Sequence, residues 1–209
     1  MNQRLDILLP LDYKMLFQCK MGTDFIFEIY KDKRTVFSLQ EIALLVNEPD
    51  FGRLKQRINY FVNRGKLKNI RRGVYAKDNY SPEELSCKIY TPSYISLDYV
   101  LQKSGVIFQY TSQITIVSYL SRILTVDGSS LRFRKIKNDI LYNTSGITMH
   151  NNGINIAIPE RAFLDTLYLN NEIYLDSKHS LKEDIINNLL VIYQSRKLNK
   201  MVANFFKNA

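Results

Sequence analysis

Asp50-Phe51-Gly52-Arg53-Leu54-Lys55-Gln56-Arg57-Ile58-Asn59-Tyr60-Phe61-Val62-Asn63-Arg64-Gly65-Lys66-Leu67-Lys68-Asn69-Ile70-Arg71-Arg72-Gly73-Val74-Tyr75-Ala76-Lys77 holds nine basic residues against one acid, a net charge of +8 in 28 residues. The remaining 181 residues carry 20 bases and 19 acids, so the excess of +9 over the 209-residue chain is almost wholly local. Leu54, Ile58, Phe61 and Val62 recur at i, i+4, i+7 and i+8, the spacing of one buried stripe, which predicts a helix from about Phe51 to Arg64. Gly65 stands where the chain leaves that helix in a left-handed turn.

Working upstream, Ser38-Leu39-Gln40-Glu41 is a capping box that opens a short apolar helix through Ile42, Leu44, Leu45 and Val46. Asn47-Glu48-Pro49-Asp50 ends it, because Pro49 disfavours helix at the residue before it. Downstream, Lys66–Ile70 and Val74–Ala76 are two short β-prone runs joined by Arg71-Arg72-Gly73, which predicts a hairpin with a basic tip. Helix, turn, helix and basic hairpin read as a winged helix-turn-helix, with its first helix expected within Leu11–Tyr30. The face opposite the apolar stripe shows Arg53, Gln56, Arg57, Asn59, Tyr60 and Asn63, side chains able to bond phosphates and base edges. The expected DNA-contacting set is Arg53, Lys55, Gln56, Arg57, Asn59, Asn63, Lys66, Lys68, Arg71 and Arg72. With so few acids, this face is expected to lack the Glu–Lys pairs of a helix that is only solvated.

A polar linker is expected over Lys77–Tyr80, dividing the chain into domains 1–79 and 80–209. In the second, Ser81-Pro82-Glu83-Glu84 has the N-cap, N1 proline and first-turn acids of a helix start. Ser96–Leu101 predicts a helix ended by Gly105. Ile114–Tyr119 and Leu131–Lys137 predict strands, and Ile147–His150 and Ile154–Ile158 flank the hairpin turn Asn151-Asn152-Gly153. Pro159 opens a helix, and amphipathic helices are expected over about Leu181–Arg196 and Leu198–Lys207. The fold class is therefore α+β: an N-terminal winged helix-turn-helix followed by an α+β domain ending in helices.

Several chemistries find little support. No apolar run approaches the length of a membrane-spanning helix, and the N-terminus lacks the pattern of a secretory signal. Cys19 and Cys87 are expected as thiols in a reducing cytoplasm. His150 and His179, the only histidines, have no Ser or Cys partner at a recognisable spacing. No metal, cofactor or catalytic residue is expected. Glu160 and Asp165, in the most charged cluster of an otherwise apolar helix, are candidates for an acid pair, but i,i+5 sets them about 140° apart around a helix. Arg161–Asp165 reads instead as an i,i+4 ion pair. A second basic cluster, Arg132, Arg134, Lys135 and Lys137, is read either as a charged strand edge or as a contact for RNA or an acidic partner.

Gly73-Val74-Tyr75, Pro92-Ser93-Tyr94-Ile95-Ser96-Leu97 opening a helix, and Ile158-Pro159-Glu160-Arg161-Ala162-Phe163-Leu164-Asp165 resemble the AbiEi family. These are antitoxins and transcriptional regulators of bacterial type IV toxin–antitoxin and abortive-infection systems. Ile114-Thr115-Ile116-Val117 ahead of Arg132-Phe133-Arg134 is similar too, and the likeness runs from about Val36 to Leu169. It implies a non-enzymatic protein whose winged helix binds repeats in its own promoter as double-stranded DNA, with a homodimer on DNA compatible. It also implies that the second domain opposes a nucleotidyltransferase-like toxin, by contact or by countering its action on RNA. The alternatives are a small Mg-dependent nuclease and a pure toxin-clamping protein.

Overall fold

The computed structural model describes residues 24–177 and 180–207. The fold is mixed α+β with two sheets, and the chain divides after Asn79 into two compact units. Cys19, His179 and the greater part of Leu11–Tyr30 lie outside the described residues.

In the first unit, helical residues 24–31 (α1) precede β1 (Val36–Ser38), α2 (Leu39–Leu45), α3 (Phe51–Asn63), β2 (Lys68–Arg71) and β3 (Val74–Ala76). The capping box is complete: Ser38 Oγ accepts from the Glu41 backbone N–H, and the Glu41 carboxylate accepts from the Ser38 N–H at 2.7 Å. Asp50 caps α3, its Oδ1 accepting from Gly52 N–H at 2.7 Å and Arg53 N–H at 3.2 Å. At the other end Gly65, φ 66°, lets its own N–H reach Val62 O and the Lys66 N–H reach Phe61 O. That double bond pattern satisfies the last carbonyls of the helix. Leu54, Ile58 and Phe61 are buried with Phe25, Ile29, Phe37, Ile42, Leu67 and Tyr75 in one core. The Phe25 and Phe61 rings stack at 5.3 Å. Unforeseen in the sequence, β1 joins the hairpin to make a three-stranded antiparallel sheet in the order β1-β3-β2.

The expected linker is shorter than Lys77–Tyr80. Lys77 is anchored to the first unit, its Nζ donating to Asp32 O at 2.6 Å, while the Tyr80 hydroxyl donates to Asp127 in the second.

The second unit contains α4 (Pro82–Ile89), β4 (Ser93–Ile95), α5 (Asp98–Lys103), β5 (Ile114–Ser118), β6 (Arg122–Val126), β7 (Ser129–Lys135), α6 (Asn138–Leu141), β8 (Ile147–Met149), β9 (Asn155–Ala157), α7 (Pro159–Asn170), α8 (Glu183–Leu190) and α9 (Arg196–Lys207). Its six-stranded sheet runs β6-β7-β5-β4-β9-β8, with β5/β7 and β4/β9 parallel. Tyr94 and Ser96 bond Asp165 of α7 on one face, whereas Ser93 Oγ donates to Cys87 O of α4 on the other. The sheet is thus packed between helices, which explains the all-buried β4 and β5.

Three expectations need correction. Pro92–Leu97 does not open a helix: Ser93–Ile95 is an interior strand, and Leu97 at φ 60° turns the chain into α5 only from Asp98. Leu181–Arg196 is not one helix, because a 3-10 turn at Val191–Tyr193 and a left-handed Gln194 separate α8 from α9. Arg132, Arg134 and Lys135 do not sit on a sheet edge, since β7 lies between β6 and β5; Lys137 is the N-cap of α6.

Candidate nucleic-acid interface

The buried stripe of α3 fixes what the rest of that helix presents. With Leu54, Ile58 and Phe61 turned into the core, Arg53, Lys55, Gln56, Asn59, Tyr60, Asn63 and Arg64 are exposed and Arg57 is half-buried. At 100° per residue, Arg53, Arg57, Tyr60 and Arg64 fall on one line along the helix, and Gln56, Asn59 and Asn63 on a second line beside it. A row of guanidiniums thus runs next to a row of carboxamides. The former suits phosphates, and the latter can donate to and accept from base edges. Arg64 was missed as a site residue because it reads as the helix end; as the C-cap it still prolongs the cationic row, its guanidinium 5.1 Å from the centre of the Tyr60 ring.

The row is not free of acids. Arg57 lies over the Phe25 ring at 4.5 Å and 4.0 Å from Glu48, and Arg53 is 3.4 Å from Asp50. Lys68 is half-buried and 3.4 Å from Asp78. None of these is an i,i+4 Glu–Lys pair of the kind expected to be lacking; Glu48 and Asp78 lie just outside the basic stretch in sequence and fold back onto it. Two of these pairs sit on exposed arginine or aspartate groups, where solvent screens them and a phosphate can compete. Arg57, held by an aromatic face and a carboxylate, is positioned as much by the core as for a ligand.

In the hairpin, exposure falls on Asn69, Arg71 and Arg72, with Gly73 at φ 81° closing the turn. The register slips between Asn69 and Arg71, so two residues oppose Val74 and the tip is twisted. Asn69 joins the candidate contacts, and Lys68, facing Asp78, is the weakest of them. Lys66 is exposed, its carbonyl accepting from the Tyr30 hydroxyl at 2.7 Å. Backbone hydrogen bonds from Arg53 and Gly52 hold the Asp50 carboxyl below its usual range, so the cap is ionised and α3 begins on a fixed turn.

The second unit treats its charged residues differently. Arg161 and Asp165, one turn apart on α7, are both 0% exposed. The Arg161 guanidinium donates to Ile140 O at 2.8 Å, Ser145 O at 3.0 Å and the Tyr94 hydroxyl at 3.2 Å, while Nε sits 3.5 Å from Asp165. Asp165 accepts from Ser96 and Tyr193, both at 2.7 Å. Burial pushes the Asp165 carboxyl up, against the pull of Arg161 and the hydroxyl donors. Glu160 is also buried but is turned elsewhere, accepting from the Lys182 N–H at 3.2 Å. The two acids therefore have separate partners, and the i,i+4 ion pair expected from the sequence is present. Cys87 is buried, and burial pushes its thiol up.

Arg132 and Arg134 are half-buried and Lys135 and Lys137 exposed. Arg134 donates to Asn170 at 3.0 Å, and burial, together with the neighbouring Arg132, lowers its pKa. Among the described residues no group of three or more His, Cys, Asp or Glu converges as a metal site, and no helix is long and apolar enough to cross a membrane. No protein-family model matches the chain, and no curated protein matches it.

Proposed function

We propose that the first unit is a winged helix that binds double-stranded DNA through α3 and the β2–β3 hairpin, and that the protein is a transcriptional autorepressor and antitoxin. The observation that carries the DNA-binding part is the double row on α3, guanidiniums beside carboxamides, on a helix whose opposite face is buried in a compact core. In this reading Gln56, Asn59 and Asn63 meet base edges in the major groove, and Arg53, Arg57 and Arg64 meet the flanking phosphates. Arg71 and Arg72 grip backbone or minor groove from the hairpin tip. The antitoxin part rests on the resemblance of Gly73-Val74-Tyr75 and Ile158–Asp165 to the AbiEi family and gives the second unit a nucleotidyltransferase-like toxin to oppose. The protein acts here without catalysis and in the cytoplasm.

The test is a gel-shift titration with the DNA upstream of the protein's own gene, at several salt concentrations. Binding should weaken steeply with salt, and the Asn59→Ala and Asn63→Ala variants should each relax preference at single base positions by about 1–3 kcal/mol. Salt-insensitive binding, or none, would overturn the regulator reading. Co-expression with the adjacent gene product, scored by growth, tests the antitoxin part separately.

A further inference from the structure

We propose that the second unit holds a binding site for single-stranded nucleic acid, separate from the duplex-binding surface assigned to the first. Three large rings, Phe108, Tyr110 and Tyr174, are 71%, 80% and 84% exposed, and all three line one open cleft of about 620 Å³. Single exposed aromatics are ordinary, but three around one cleft form an apolar patch with a shape. The two loops that carry them are tied together. Asp176 Oδ2 accepts from the Phe108 N–H at 2.7 Å, and the Asp176 and Ser177 N–H groups both donate to Val106 O at 3.1 Å. The rings therefore stand on a braced rim.

The floor of the cleft supplies the charge. Arg132 lines it beside Thr115, its register partner on β5. Arg134, two residues further along the strand, reaches Asn170 at the C-terminus of α7, and the next residue, Asn171, accepts from Lys197 of α9. Neither Arg132 nor Arg134 has a carboxylate within 4 Å among the described residues, although Asp98 of the same cleft attracts Arg134 from further off. Arg132, Arg134 and Lys197 thus make a cationic path leading out of an aromatic cleft. Base-stacking rings joined to a track of phosphate-binding cations are what an unpaired strand requires, and a duplex cannot offer its base faces to them. The carboxylates on the same walls have places in this arrangement. Asp176 is occupied by the loop brace, while Asp98 and Glu172 can accept from base amino groups.

The experiment uses the full chain carrying Arg71→Ala and Arg72→Ala, which removes the hairpin cations from the readout. Fluorescence anisotropy is measured with labelled 12-nucleotide oligouridylate, oligothymidylate and a mixed-sequence DNA duplex. Oligouridylate should bind in this background. Adding Tyr110→Ala and Tyr174→Ala should weaken it by about tenfold or more, while Tyr110→Phe with Tyr174→Phe keeps it. Arg132→Ala with Arg134→Ala should lower the salt slope by about 1.4. Equal binding of oligothymidylate assigns the site to either single strand, and weaker binding assigns it to RNA. Retained oligouridylate affinity in the double Ala variant overturns the proposal, as does no binding in the starting background. Neither result bears on operator binding, which is read with the unmodified hairpin.

Discussion

Arg161 and the Arg71–Arg72 pair are the same side chain put to opposite uses in one chain. Arg161 is fully buried: its two terminal nitrogens donate to two carbonyls and a tyrosine hydroxyl, and its Nε makes no hydrogen bond but faces Asp165 at 3.5 Å, so four different segments surround it. Arg71 and Arg72 are exposed at a hairpin tip where the register has slipped. An arginine without water must be met by protein oxygens, so its surroundings become fixed; an arginine in water keeps its charge available for a ligand. The difference teaches that local net charge identifies a binding surface only where the fold leaves the charge solvated. Arg161 adds to the same count of bases and contributes nothing to any surface.

The sharpest way to break the comparison is to remove Arg161. Arg161→Ala leaves Asp165 buried without its cation and frees the Ile140 and Ser145 carbonyls, so the second unit should lose about 3–5 kcal/mol, read by denaturant unfolding. Replacing the pair together, Arg161→Met with Asp165→Leu, should cost less than either single change, because no orphaned charge remains. If Arg161→Ala unfolds like the wild type, the buried network is not what holds α7 to β4. At the other extreme, Arg71→Ala with Arg72→Ala should move unfolding by no more than about 0.5 kcal/mol. The same variant should weaken duplex binding at every sequence and reduce the salt slope by about 1.8, two phosphate contacts at about 0.9 each. A variant that destabilised the first unit instead would put those arginines on the structural side of the comparison. Between the two lies Ser38→Ala, which removes half of a complete capping box and should cost the first unit about 1 kcal/mol.

The sequence was most legible where a local rule was also the tertiary one. The Ser38–Glu41 box, the Phe51–Asn63 helix, the Gly65 exit and the Asn151–Gly153 hairpin each depend on neighbours a few residues away. It was least legible where pairing partners are distant. The interior strand β4 was hidden because Ser93-Tyr94-Ile95 is only three residues long, and its polar members are satisfied by Cys87, six residues back, and by Asp165, far along the chain. β1 was hidden likewise, its partners being Val74–Ala76. At the candidate site, the exposed row of α3 followed from its buried row, because helical period fixes both. The acids that pair with it did not, since Asp78 reaches Lys68 only through the hairpin. The aromatic cleft had no signal in sequence at all: Tyr110 and Tyr174 are 64 positions apart and line one cleft whose two loops are joined by hydrogen bonds between Val106–Phe108 and Asp176–Ser177.

Glu83 lies midway between the buried and the solvated charges and offers the smallest and most specific test. Burial pushes its carboxyl up, but hydrogen bonds from Tyr99 at 2.6 Å and Lys103 at 3.0 Å, with its own backbone N–H and Ser81, outweigh that and hold it at about 2. A carboxyl depressed in the folded state binds its proton more readily once the chain unfolds, so acid favours unfolding. The stability it contributes is therefore complete above the unfolded value of about 4.3 and drains away as pH falls toward about 2. Because the group is partly solvated, the amount should stay below about 1 kcal/mol. Glu83→Gln keeps the shape and removes the negative charge, so its melting temperature should fall below that of the wild type at pH 7 and converge with it near pH 2. A constant gap across that range would mean that Tyr99 and Lys103 hold Glu83 by packing, and that α4 and α5 are joined without any electrostatic share.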